Sequence, residues 1–104
     1  MGNPYRGDVV LSVDGQELPM RLTLGALAEL ETALVEDSLM ALVERFESGS
    51  FRAGDLIALL VAGLRGAGWQ GTAADLGRAE IGGGAIGAAK AAGRLLKLAF
   101  SLPQ

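Results

Sequence analysis

Three patterns in this chain combine residue type and spacing in ways that could do chemistry. Gly82-Gly83-Gly84-Ala85-Ile86-Gly87 matches G-x-G-x-x-G, which at the start of a helix can cradle a pyrophosphate on unpaired backbone N–H groups. Glu29 with Glu31, and Glu44 with Glu47, are carboxylate pairs of the kind used for acid–base work. Ser12, Ser38, Ser48, Ser50 and Ser101 are hydroxyls that a neighbouring base could activate. Each pattern fails on its surroundings. No strand is expected before the glycines, and the 17 residues after Gly87 are too few for the return strand and acidic ribose partner of a dinucleotide fold. Lys90 falls two residues too late for a P-loop, and 16 glycines make a chance match easy. The chain has no histidine and no cysteine, which leaves the serines without an imidazole and removes thiol chemistry and the common zinc ligand sets. The carboxylates read as the solvated faces of helices. The expectation is a protein that is not an enzyme, with no catalytic, cofactor-binding or metal-binding residues.

What remains is binding. Trp69, the only tryptophan, sits in the Gly-rich connection Gly66-Ala67-Gly68-Trp69-Gln70-Gly71. It either projects as an interface anchor or folds back over the end of the preceding helix. Phe100 and Leu102, in the tail Phe100-Ser101-Leu102-Pro103-Gln104, either finish the core or form an apolar binding end. Trp69, Phe100 and Leu102 are the candidate partner-binding residues. Arg6-Gly7-Asp8 spells an adhesion tripeptide, but nothing around it looks extracellular, and it reads as the lead into a strand.

The elements that would position these residues can be read in order. Residues 8–23 predict a β-hairpin: an apolar run to Val13, the turn pair Asp14-Gly15, then alternating Leu18, Met20 and Leu22. Pro19 makes the second strand an edge, or interrupts its pairing. Such a hairpin is marginal alone and must lie on helices. Residues 24–102 predict about five of these around one buried central helix. Thr23 caps a first helix to about Val35, with Leu24, Leu27, Leu30 and Leu34 on one stripe. After a loop over residues 36–38, a second helix groups Leu39, Leu42, Val43 and Phe46 within a sector of about 100°, leaves Glu44, Arg45 and Glu47 outside it, and stops at Gly49. Residues 56–64 are apolar all round, as befits a buried helix. Thr72 and Asp75 have capping-box spacing for a short helix to about Ile81, and Gly82-Gly83-Gly84 reads as a flexible break. The last helix, about residues 85–102, sets Lys90, Arg94 and Lys97 opposite Ala88, Ala92, Leu95, Ala99 and Leu102. Gly87 and Gly93 each cost it about 1 kcal/mol relative to alanine, which predicts a weak C-terminal helix suited to exchanging partners. Its small residues at intervals of four also suit close helix approach, within the fold or between copies, so a homo-oligomer stays open.

A length of 104 residues and 50% hydrophobic content predict one domain over 1–104, mainly α with an N-terminal β-hairpin (α+β). A net charge of −3 gives no footprint for phosphate neutralisation, so no nucleic acid is expected as a partner. A membrane partner is not expected either, because residues 56–64 rise only about 13.5 Å and three cations interrupt the last helix. Without cysteine or a secretory h-region, the expected compartment is the cytoplasm.

The stretch Arg6-Gly7-Asp8-Val9 through Asp14-Gly15, then Leu22-Thr23-Leu24-Gly25-Ala26-Leu27-Ala28-Glu29-Leu30-Glu31, resembles a family of small phage-derived proteins. The likeness continues through Asp37-Ser38-Leu39, Arg45-Phe46-Glu47, Asp55-Leu56, Ala62-Gly63-Leu64-Arg65-Gly66 and Gly82-Gly83, nearly the whole chain. The family is the tenth product of the gene-transfer-agent cluster of alphaproteobacteria, grouped with phage tail assembly chaperones. The resemblance implies a protein that binds the tape measure protein, keeps that long helical chain soluble, and helps recruit tail tube protein. The family is also labelled a tail tube protein, so a structural minor tail or tail tube component is the alternative the resemblance implies. Gly54, Gly77 and Gly93 depart from the family's texture and bear only on helix boundaries.

Overall fold

The computed structural model describes residues 9–34 and 38–100. Arg6-Gly7-Asp8, the connection over 35–37, and Leu102 with the rest of the tail lie outside the described residues.

The hairpin forms as its turn dictates. Strand β1 (Val9–Val13) pairs antiparallel with β2 (Gln16–Met20), and Asp14 and Gly15 take φ of 50° and 83° in the connecting turn. Val13 and Gln16 close the hairpin as a hydrogen-bonded pair. Alternating outward, Val10 and Pro19 fall in a non-hydrogen-bonded pair, where the proline nitrogen faces away from β1 and costs the ladder nothing. Pro19 thus marks an edge and breaks no pairing. Val9, Leu11, Val13 and Met20 are buried on one face, with Leu18 packed beside them.

Five helices follow among the described residues: α1 (Leu24–Ala33), α2 (Leu39–Ser48), α3 (Ala53–Gly66), α4 (Ala73–Arg78) and α5 (Gly84–Ala99). Three start at hydroxyl caps. Thr23 Oγ1 accepts from Ala26 N at 3.0 Å, Ser38 Oγ from Ala41 N at 3.2 Å, and Thr72 Oγ1 from Asp75 N at 3.2 Å. The Thr72 backbone N–H and hydroxyl in turn donate to Asp75, and these bonds hold its carboxyl below the usual range. The all-apolar helix is central as expected: α3 packs against β2, α1, α4 and α5, and buries Leu59, Leu60, Ala62 and Leu64.

On one face of α3, Gly63 and Gly66 lie where neighbouring elements leave no room for a side chain. A Cβ on Gly63 would stand 2.5 Å from Leu95 Cδ2 and 3.1 Å from Met20 Cβ, and one on Gly66 would overlap the Arg21 carbonyl oxygen. This closeness lets Arg21 N–H donate to the Gly63 carbonyl at 2.8 Å as the hairpin leaves the sheet.

Several expectations shift. Leu24 is 86% exposed and the buried positions of α1 are Ala26 and Leu30, because the stripe at the first turn runs past the end of the core. The second strand ends at Met20. Helix α4 stops at Arg78, since Ala79–Ile81 is drawn out along β1: Asp14 N–H donates to Glu80 O at 2.8 Å, Glu80 N–H to Asp14 Oδ1 at 2.8 Å, and Val13 bridges Ile81. The glycine triplet is therefore held in place. Gly82 N–H donates to Ser12 O at 3.0 Å and Gly84 N–H to Ile81 O at 2.8 Å. These bonds account for the G-x-G-x-x-G match as a loop that ties α5 to the hairpin. Helix α5 begins at Gly84 and ends at Ala99.

Candidate partner-binding groove

Helices α2 and α5 touch only lightly and leave an apolar groove of about 710 Å³ between them. Periodicity sets its walls. Gly93 and Leu96 on α5 and Phe100 at its C-cap recur at spacings of three and four and form the floor, while Lys90, Arg94 and Lys97 fall in the adjoining sector and form one rim. Helix α2 contributes Val43 and Phe46 to the opposite wall, with Glu47 above them. Phe100 keeps 39% of its surface exposed, unusual for a phenylalanine packed at a helix end. Among the described residues, Lys90, Arg94 and Lys97 enter no ion pair.

The α2 wall is anchored from behind. The Arg45 guanidinium donates twice to Asp55, Nε to Oδ2 at 3.0 Å and Nη2 to Oδ1 at 3.1 Å, with only 18% and 12% of the two side chains exposed. Asp55 Oδ2 also accepts from Arg52 N at 2.9 Å, so one carboxylate starts α3 and ties α2 to it. Beside this pair the Phe46 and Phe51 rings stack at 4.4 Å with planes 4° apart. Helical periodicity alone had put Arg45 on a solvated face; the carboxylate supplied by α3 is what draws it in.

Burial pushes the Asp55 carboxyl up, but the hydrogen bonds from Arg45 and Arg52 and their charges outweigh it, leaving the group below its ordinary value of 3.8. A depressed carboxyl contributes stability above the unfolded pKa and loses it as pH falls through the folded one. The contribution is therefore complete at neutral pH and is lost from about pH 4 downward. Arg45→Ala is expected to cost about 2 kcal/mol at neutral pH. Asp55→Asn is expected to flatten the acid limb of stability. Urea titrations from about pH 2.5 to 7 read both, and an unchanged acid limb in Asp55→Asn would contradict the assignment.

Of the residues singled out in the sequence, Phe100 lines this groove and Trp69 does not. Trp69 is half-buried in the α3–α4 connection, where its backbone N–H donates to Leu64 O at 2.9 Å and its ring packs on the core and against Gly71. Arg65 fixes the same connection, reaching Glu29 Oε1 at 2.9 Å and Gly71 O at 3.2 Å. Phe46 read as a core residue in the sequence, and its share in the groove was missed because α2 alone does not reveal that α5 lies beside it. A second, smaller depression of about 480 Å³ between α1, α3 and α4 is lined mainly by small side chains. Its one carboxylate, Glu29, is already held by Arg65. Among the described residues no acidic cluster could hold a metal ion, and no helix is long and apolar enough to cross a membrane.

The family model described as "Phage tail tube protein, GTA-gp10" matches residues 6–102. The chain belongs to this family. The likeness therefore covers the hairpin and all five helices, and with them both walls of the groove. No curated protein and no solved structure matches the chain. Membership in the GTA-gp10 family makes this a tail-related protein of a gene transfer agent or phage, one that works through contacts with other tail proteins.

Proposed function

We propose that the chain is a tail assembly chaperone: a cytoplasmic, non-enzymatic protein that binds the tape measure protein through the α2–α5 groove and releases it as tail tube protein assembles. The groove carries this reading. It is open, apolar and bounded by two helices, the form that accepts one face of an amphipathic helix. Edge pairing into a tube wall is poorly provided for. The outer edge of β1 is occupied near its end by Glu80–Gly82, and β2 carries Pro19 and leaves the sheet into a bond with α3.

Co-expression with the tape measure protein tests the reading. The expected result is co-purification and a rise in the soluble fraction of the tape measure; no change in either would defeat it. A second reading, a structural minor tail or tail tube component, is favoured by the family's description as a tail tube protein. Mass spectrometry of purified particles separates the two. The chaperone is expected to be absent, and stoichiometric presence would establish the structural role.

A further inference from the structure

We infer that the α2–α5 groove takes an amphipathic helix bearing acidic residues along one flank of its apolar face. The inference adds the chemistry of the occupant and rests on the chaperone reading only for which protein supplies that helix. Three observations converge on it.

The first is size. The lining runs from Lys90 on α5 to Phe100 at its C-cap, about 15 Å or three helical turns, the length of one apolar face of a short helix. The second is charge. The α5 rim holds three cations unpaired among the described residues, on a chain of net charge −3, while the α2 wall holds the carboxylate Glu47. Acidic residues are thus favoured on the flank facing α5 and disfavoured on the other, which fixes how the helix lies. The third is Gly93. A glycine inside a helix is costly, yet a Cβ at Gly93 would meet nothing within 4 Å, so no close approach within the described fold requires it. Its place on the floor keeps a notch open where a side chain of the guest can sit.

The experiment uses the full chain and a labelled peptide of about four turns with leucine at i, i+3, i+4 and i+7 and glutamate on one flank, compared with the same peptide carrying lysine there. Fluorescence anisotropy is expected to give about tenfold tighter binding of the glutamate peptide, weakening as salt is raised. Gly93→Leu should abolish binding without lowering Tm. The triple variant Lys90→Glu/Arg94→Glu/Lys97→Glu should reverse the preference toward the lysine peptide, an outcome that mere loss of folding cannot mimic. Equal binding of the two peptides, or full binding by Gly93→Leu, overturns the inference. So does a concentration-dependent dimer in sedimentation that Gly93→Leu dissolves, because the occupant would then be a second copy of the chain.

Repeating the tape measure co-expression with Gly93→Leu separates this inference from the chaperone reading. If the parent solubilises the client and Gly93→Leu does so equally well, the groove is wrong and the chaperone stands. If the parent leaves the client insoluble but the glutamate peptide binds and Gly93→Leu blocks it, the chaperone fails and the groove stands.

Discussion

Gly66→Val is expected to cost about 3 kcal/mol, lowering Tm by about 12 to 24 °C. The obstacle is the Arg21 carbonyl oxygen, a backbone atom that cannot rotate away, with Ala26 Cβ 3.1 Å from the same point. Making room would push α3 off the chain leaving the hairpin and strain the bond from Arg21 N–H to the Gly63 carbonyl one turn earlier. Gly63→Ala should do less harm. Its nearest obstacle, Leu95 Cδ2, is the end of a flexible side chain, and alanine returns about 1 kcal/mol of helix propensity. Gly93→Ala meets open space and is expected to stabilise by up to about 1 kcal/mol. Thermal melts should therefore rank Gly93→Ala above the parent, the parent above Gly63→Ala, and Gly66→Val last. A Tm for Gly66→Val within a few degrees of the parent would show that the two backbones are not in contact.

Leu59→Ala is the other large effect, with an expected loss of 2 to 5 kcal/mol (about 3 as a central figure), from lost transfer energy plus the cavity left behind. Leu59 has no exposed surface and belongs to the helix that touches β2, α1, α4 and α5, so none of these neighbours can collapse into the gap without leaving another. Leu24→Ala is the matched control. The same atoms are removed from a side chain 86% exposed, and the change should stay within about 0.5 kcal/mol. Urea midpoints with an unchanged slope would read both; equal losses at the two sites would mean that the core is not where α3 lies.

That contrast shows what periodicity can convey. The hairpin, the caps at Thr23 and Thr72, and the burial of α3 were all legible, because each depends on residues close together in the chain. Leu24 misled because a stripe gives the direction of a face and not how far the core extends along it. Arg45 misled for the complementary reason: the wheel of α2 cannot show that Asp55, ten residues on, arrives beside it. Ala79–Ile81 continued a helical pattern, yet the bonds of Glu80 with Asp14, and of Gly82 with Ser12, across more than 60 residues prevailed. The groove was half legible. Phe100 stood open as a binding end and Lys90, Arg94 and Lys97 were legible as one polar side of the last helix, whereas the α2 wall required the tertiary fold; Trp69 lies half-buried against the core.

The strap over β1 has a consequence for the order of events during synthesis. The hairpin leaves the ribosome before the segment that bonds to the end of its edge, which lies 66 residues later. At about 5 to 20 residues per second, that edge waits roughly 3 to 13 s for its cover. During this interval a nascent chain presents open strand backbone to its neighbours on the same messenger, and crowded polysomes would be where it is most exposed to mispairing.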